Sequence, residues 1–322
     1  MGLPGTGTVW MNGSLVDWKD ARIHVASHVI HYGSAVFEGA RCYETRSGPA
    51  CFRLDDHVRR LMESARIYRM DPPYDAAAIR AAILETIAAN NYRACYIRPI
   101  VYRGYDSLGV NPFPCPVDVA IILWEWPAMF SAEATEQGVD VKVSTWTRIA
   151  PNTLPALAKS VANYANSQLI KMEALVEGYS EAIALDHTGA LSEGSGQNIF
   201  LVRDGVLHTP PVASSVLSGI TRASVIAIAR DLGIELREQV LPREMLYVAD
   251  EVFFAGTAVE VTPVRSVDKI KVGRGSRGPI TEAIQRRFYD IVRGHVPDTH
   301  GWLTYVPAPA GAGAKSGAAT DR

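Results

Sequence analysis

Amine chemistry is the first possibility to weigh, because candidates are few: of 32 lysines and arginines, only seven are lysines. Lys19 falls in a polar turn, and Lys142 alternates with valines on the expected wet side of a strand. Lys269 and Lys271 bracket an expected hairpin, Lys171 sits among polar helix neighbours, and Lys315 lies in the C-terminal tail. Lys159 differs, standing in Leu157-Ala158-Lys159-Ser160-Val161, an almost uncharged run of small and apolar residues. Desolvation there would lower its pKa and free the neutral amine to act as nucleophile or base. The same run also suits a surface lysine opening a helix, since lysines are rarely buried.

Ser218-Gly219-Ile220-Thr221-Arg222 opens a helix, with Gly allowing close approach, Thr able to cap and first-turn N–H groups free. That is the chemistry of an anion site, and equally of an ordinary capped helix. Gly256-Thr257-Ala258 follows an apolar strand and could present a hydroxyl and amides. Glu193, in Leu191-Ser192-Glu193-Gly194-Ser195-Gly196, has small neighbours that leave room for a flat ligand, or is a solvated hairpin carboxylate. Tyr96 and Arg98 are two apart on one strand and project from one face, which suits a carboxylate ligand or a structural ion pair. His24, His28 and His31 have metal-like spacing but no further ligands nearby, so structural roles are expected.

These residues need elements to position them. Asp55–Arg69 carries apolar residues at helical spacing behind an Asp cap, with Arg60 opposite the stripe, facing solvent or a cleft. Helices are also expected over Asp75–Asn90, Ala162–Glu177, Thr221–Leu232 and Pro279–Val292. Strands are expected over Cys95–Val101, Val117–Trp124, Val139–Val143, Glu181–Asp186, Asn198–Val202, Glu251–Ala255 and Val259–Val264, and Asp204-Gly205 is a hairpin turn. The chain reads as mixed α/β with two domains: residues 9–133 and 134–306, joined by a linker near 125–136. Residues 1–8 and the Pro-, Ala- and Gly-rich 307–322 are expected to be loose.

Composition narrows the classes. The chain has 322 residues, 48% of them apolar, enough for buried cores and too many for a disordered chain. A net charge of -2 argues against a nucleic-acid partner. No apolar run approaches a membrane span, and no secretion signal is visible. Cys42, Cys51, Cys95 and Cys115 lack metal-site spacing and read as reduced thiols of a cytoplasmic protein.

In their joint order the motifs resemble the fold type IV pyridoxal 5'-phosphate enzymes, and within them the branched-chain amino acid aminotransferases. The matching stretches are His31-Tyr32-Gly33, Val36 to Arg41, Tyr96-Ile97-Arg98-Pro99, Ala150-Pro151-Asn152-Thr153, Ala158-Lys159, Ser192-Glu193-Gly194, Asn198-Ile199-Phe200, Gly219-Ile220-Thr221-Arg222 and Gly256-Thr257-Ala258. They span about Val9 to Tyr305. The resemblance implies a small α/β domain and a larger pseudo-barrel domain that binds the cofactor. It also implies roles. Lys159 would form a Schiff base with the cofactor aldehyde and then carry the proton. Glu193 would pair with the ring nitrogen, Tyr164 with the phenolic oxygen, and Leu217 would pack on the ring. Arg60, Ile220, Thr221 and Thr257, with the Gly219 helix start, would hold the phosphate. Phe37, Tyr32, Tyr96 and Trp126 would surround an aliphatic side chain, with Thr257 and Ala258 near the substrate carboxylate. Arg98, with Tyr32, would meet the distal carboxylate of glutamate. Leu108-Gly109-Val110 would close the pocket of a neighbour in a homo-oligomer.

Two residues depart from common relatives: Met129 where Tyr is frequent, and Val259 where Ala is frequent. The implied reaction is transamination of L-leucine, L-isoleucine or L-valine with 2-oxoglutarate. The alternatives are a relative acting on D-amino acids or primary amines, an aminodeoxychorismate lyase, or a non-catalytic binding protein on the same fold.

Overall fold

The computed structural model describes residues 3, 5–126 and 131–307. Nearly all of the expected C-terminal tail, part of the N-terminal one, and Met129 with the middle of the expected linker lie outside the described residues.

The chain opens with strands β1 (Thr8–Met11) and β2 (Ser14–Asp17), helix α1 (His28–Tyr32), and strands β3 (Ala35–Phe37), β4 (Ala40–Thr45) and β5 (Gly48–Phe52). Helices α2 (Leu54–Ile67) and α3 (Ala76–Ala89) then precede β6 (Cys95–Arg103) and β7 (Val117–Trp124). After α4 (Ala132–Gln137) come β8 (Val139–Val143), α5 (Asn163–Val176), β9 (Glu181–Leu185), β10 (Leu191–Gly194), β11 (Asn198–Arg203) and β12 (Val206–Thr209). Helix α6 (Ile220–Asp231), β13 (Leu236–Glu238), α7 (Met245–Val248), β14 (Glu251–Gly256), β15 (Glu260–Val267), β16 (Ile270–Lys271), α8 (Pro279–Val292) and β17 (Leu303–Tyr305) complete it.

Two sheets result. The first runs β17-β5-β4-β6-β7-β1-β2 with β3 also on β6, and the second runs β10-β9-β8-β15-β14-β11-β12-β13 with β16 on β15. The sheets separate near residue 133, except that β17 returns to the first sheet and sets Leu303 opposite Phe52. One core packs α2 and α3 on the first sheet, through Leu54, Val58, Leu61, Ile79, Ile83 and Ile97. Another packs α6 and α8 on the second sheet and takes in Phe52, whose ring meets Phe288 at 5.5 Å and Trp302 at 5.6 Å. Phe52 therefore joins the two layers.

Several local expectations change. Thr8, placed in the loose N-terminal stretch, pairs with Asp17 in β1. Helix α2 begins at Leu54 after Arg53 in a left-handed conformation, so Asp55 is a first-turn residue and not the cap. Asp55 and Asp56 there complement the helix dipole. Lys142 is not on a wet face: α5 covers it, and its Nζ donates to Glu173 at 2.6 Å and Glu177 at 2.7 Å. Burial opposes its charge, but the two carboxylates outweigh burial and raise its pKa. The four cysteines are free and buried. His28 serves structure: its ring nitrogens meet Ser34 Oγ at 2.7 Å and Gly109 O at 2.8 Å.

Candidate active site

A cavity of about 310 Å³ opens between the sheets, a volume suited to a small organic ligand. Lys159 stands on its wall, half-buried because it faces the opening and not the protein interior. Its backbone is pinned from both sides: Lys159 N donates to Ser64 Oγ of α2 at 3.0 Å, and Lys159 O accepts from Phe37 N of β3 at 3.0 Å. The Nζ lies 2.6 Å from Tyr164 Oη, at the start of α5, and 5.0 Å from the ring centres of Phe37 and Tyr164. A lysine so held can reach into the cavity without moving the chain.

Glu193 of β10 is buried, not the solvated hairpin carboxylate that its neighbours also allowed. One carboxylate oxygen meets Arg148 Nη2 at 2.8 Å; the other accepts from Asn198 Nδ2 at 3.1 Å and Leu217 N at 3.2 Å. Burial pushes the Glu193 carboxyl up against the pull of Arg148 and Lys159. Arg148 gave no signal in the sequence, because a lone arginine in a loop looks like surface. It could have been sought only as the partner that a buried carboxylate demands.

Arg60 lines the cavity and is buried; the cleft, not solvent, is where it points. Glu38, fully buried, takes two of its N–H groups: Nε at 2.6 Å and Nη2 at 2.9 Å. A third goes to Ser218 O at 2.8 Å. Two of the five guanidinium N–H donors remain for a ligand. His57 Nδ1 also meets Glu38 at 2.7 Å. Burial alone would raise the Glu38 carboxyl, but Arg60 and His57 overcome it and hold it far below the usual range. Sequence reasoning missed Glu38 and His57 as parts of the site.

Helix α6 begins beside Arg60. Gly219 is its N-cap with no side-chain cap, so Thr221 does not cap the helix as its type suggested. The first amides stay open, as an anion requires. A Cβ on Gly219 would lie 1.8 Å from Asn198 Oδ1, so glycine is needed here for space. Ile220, Thr221 and Leu217 line the same cavity. Across it, Gly256 pairs with Glu260, leaving Thr257, Ala258 and Val259 as the turn between β14 and β15. Among the described residues, the amides of Thr257 and Ala258 have no acceptor.

Phe37, Tyr96, Arg98 and Trp126 form another wall. The Arg98 guanidinium lies 4.6 Å from the Phe37 ring centre and 5.5 Å from that of Tyr96, and it makes no ion pair among the described residues. Arg98 Nε and Trp126 Nε1 are buried without a partner among the described residues. Tyr32 is the exception: it is 45% exposed and does not line this cavity. It stacks on His28 at 4.5 Å, and His28 holds Gly109, so Tyr32 and the Leu108–Val110 loop form one outward-facing unit.

The residues fit pyridoxal 5'-phosphate. Open helix-start amides and a half-committed guanidinium suit a phosphate, and a buried carboxylate across the cavity suits a protonated ring nitrogen. Lys159 lines the same cavity as an amine for an aldehyde. Among the described residues no group of His, Cys, Asp and Glu could hold a metal ion.

Comparison with known proteins agrees with this chemistry. The family model for amino-transferase class IV matches residues 35–267. The chain is 51% identical over 299 residues to the branched-chain-amino-acid aminotransferase of Salmonella typhimurium, covering 92% of this chain and 97% of that one. The crystal structure of the Escherichia coli branched-chain amino acid aminotransferase superposes with a TM-score of 0.92 at 50% identity, covering 94% of this chain and 100% of that one. A third branched-chain amino acid aminotransferase, from T.th. and complexed with N-(5'-phosphopyridoxyl)-L-glutamate, gives 0.90 at 46% identity over 94% of this chain and 99% of that one.

Proposed function

The chain belongs to the class IV aminotransferase family, and from that premise we propose that it moves the amino group of L-leucine, L-isoleucine or L-valine to 2-oxoglutarate, giving the branched 2-oxo acid and L-glutamate. The cofactor is pyridoxal 5'-phosphate, which when bound supplies the aldehyde that takes up the amine and the ring that delocalises the electron pair left on the substrate Cα.

The chain's own residues do the rest. Lys159 anchors the cofactor and, once freed, moves the proton at the substrate Cα. Tyr164, 2.6 Å from Lys159 Nζ, orients that amine and would hydrogen-bond the phenolic oxygen of the cofactor. Glu193, fixed by Arg148, Asn198 and Leu217 N, keeps a proton on the ring nitrogen. Arg60, Thr257 and the start of α6 at Gly219, Ile220 and Thr221 bind the phosphate, and Leu217 packs on the ring. Phe37, Tyr96 and Trp126 exclude water around the aliphatic side chain, each buried methylene contributing about 0.8 kcal/mol. The free amides at Thr257 and Ala258 take the α-carboxylate. Arg98, lacking an ion pair of its own among the described residues, takes the second carboxylate of glutamate. In a homo-oligomer the exposed Leu108–Val110 loop, with Tyr32, closes the neighbour's pocket. We place the enzyme in the cytoplasm, in keeping with four free cysteines. No helix among the described residues is long and apolar enough to cross a membrane.

The observation that carries this reading is the aromatic wall of Phe37, Tyr96 and Trp126, with Arg98 set in it, facing the Lys159–Tyr164 pair. The test is the absorbance of the purified holoenzyme. L-leucine without any oxo acid is expected to bleach the yellow cofactor colour, and 2-oxoglutarate to restore it. A colour unmoved by L-leucine but bleached by D-alanine overturns the substrate assignment.

A further inference from the structure

Glu260 occupies a position where its residue type is unexpected. It closes the turn Thr257–Val259 opposite Gly256, with a φ of 55°. A left-handed backbone conformation ordinarily falls to glycine, because a Cβ strains the backbone there. Here the strained residue carries a carboxylate and is buried, with a relative exposure of 8%. The carboxylate is fully engaged. Oε1 accepts from Tyr43 Oη at 2.9 Å and faces Arg41 Nη1 at 3.3 Å, while Oε2 accepts from Tyr289 Oη at 3.0 Å. These partners come from β4 in the first sheet and from α8, so one carboxylate ties two elements to its own strand β15. Burial and the neighbouring carboxylate both raise the pKa of Tyr43 and Tyr289, so both stay protonated and keep donating.

Arg41 carries the constraint back to the cavity. Its Nη2 donates to Ala258 O at 3.1 Å, and Thr262 Oγ1 donates to Val259 O at 2.6 Å. The far end of the turn is thus tied down through its carbonyls, and the near end is fixed by the β14–β15 ladder. Between these two points lie the amides of Thr257 and Ala258, which have no acceptor among the described residues and belong to residues lining the cavity. Hydrogen-bond donors bind an anion best when they need no reorganisation on its arrival.

We propose that Glu260 is a positioning residue for substrate carboxylate recognition: through Arg41 it holds the Thr257–Ala258 amides in the geometry that binds the α-carboxylate common to every amino-acid and 2-oxo-acid substrate. This inference rests on the proposed reading of the turn as the α-carboxylate site. Glu260 touches neither substrate nor cofactor, so its effect falls on carboxylate affinity and not on cofactor retention.

Two substitutions separate a role for the carboxylate from one for the backbone. Glu260→Gln keeps the shape and loses the ion pair with Arg41. Glu260→Gly relieves the left-handed strain and loses every side-chain contact. Should either fail to fold, the double variant Tyr43→Phe/Tyr289→Phe removes two donors at nearly constant volume. The probe is 4-methylpentanoate, a leucine-shaped carboxylate without an amine, titrated into holoenzyme and read by the change in cofactor absorbance. The Kd is expected to rise about tenfold in Glu260→Gln and further in Glu260→Gly. The KM values for L-leucine and 2-oxoglutarate should rise together, with kcat within about twofold and cofactor content unchanged. An unchanged Kd in Glu260→Gly overturns the proposal, since relieving strain would then be harmless. Loss of cofactor in step with the Kd overturns it too, since Glu260 would then hold the whole site. Wild-type protein that neither bleaches with L-leucine nor binds 4-methylpentanoate would instead count against the function reading, which the unmodified enzyme tests by itself.

Discussion

At the scale of single residues, Glu38 determines how Arg60 is presented. A free guanidinium on a helix would rotate, whereas two bonds to a fully buried carboxylate and a third to Ser218 O fix its plane and leave two donors uncommitted on a residue that lines the cavity. Removing one partner of a buried pair strands the other, so Glu38→Gln should cost about 3 kcal/mol of stability in urea unfolding at neutral pH. The pH dependence follows from the sign of the shift. The folded-state pKa lies below its ordinary value of 4.5, so the stabilisation is complete above that value and is lost as pH falls through the folded pKa. The gap between wild type and Glu38→Gln should therefore be the same at about pH 7 and pH 6 and close only in strong acid. Because Glu38 raises the His57 pKa against the effect of burial, His57 titrating in this range would favour the wild type, and a gap that widened from about pH 7 to pH 6 would point to His57. Lys159 and Glu193 stand out in the sequence as candidates because their neighbours are unusual, uncharged around the one and small around the other, but local sequence left a surface lysine and a solvated carboxylate open as well. Their partners do not stand out. Arg148, Glu38 and His57 have ordinary neighbours, and only distance in space, over separations such as the 22 residues from Glu38 to Arg60, reveals what they do.

At the scale of elements, the start of α6 shows why a motif must be read with its surroundings. Serine, glycine and threonine suggested a capped helix, and the helix is there over Ile220–Asp231, but no side chain caps it. The missing cap is what leaves donors for an anion. Gly219 has an ordinary extended backbone, φ -68° and ψ 132°, so its requirement is spatial: Asn198 packs where a Cβ would be. Asn198 in turn donates to Glu193 and to Leu217 O. Gly219→Ala should displace Asn198, loosen Glu193 and weaken cofactor binding at least tenfold, measured as cofactor retained after dialysis against graded concentrations. Retention equal to wild type would show that Asn198 yields without cost. Elements with a buried face and a solvated one were legible from periodicity, as α2 and α8 were. Periodicity failed for β8, where α5 covers the side that alternation assigned to water and Lys142 finds Glu173 and Glu177. It could not choose for Arg60 either, because solvent and a polar cleft leave the same pattern.

At the scale of the whole molecule, Tyr32 is missing from the cavity wall in which it was expected. Tyr32, Leu108 and Val110 instead project outward, at 45%, 53% and 89% exposure. They are held as a unit through His28, whose ring stacks on Tyr32 and whose Nε2 binds Gly109 O, so they are presented and not merely left over. Periodicity could not assign these residues to any pocket, because one chain's pattern carries no information about a second copy; only the family resemblance pointed Leu108–Val110 at a neighbour. If the unit completes a neighbour's site, two different defects should cancel. A chain with Lys159→Ala has a dead cavity and a sound loop; a chain with Val110→Asp has a sound lysine and puts a carboxylate into its neighbour's apolar pocket. Each alone should be nearly inactive. Coexpressed in equal amounts, half of the dimeric pairs are mixed, and each mixed pair contains one site with both a good lysine and a good loop. Activity should recover to about a quarter of wild type per chain, a value set by that symmetry and independent of how strongly each substitution acts. If the loop serves its own chain, no mixed pair contains an intact site, and coexpression restores nothing.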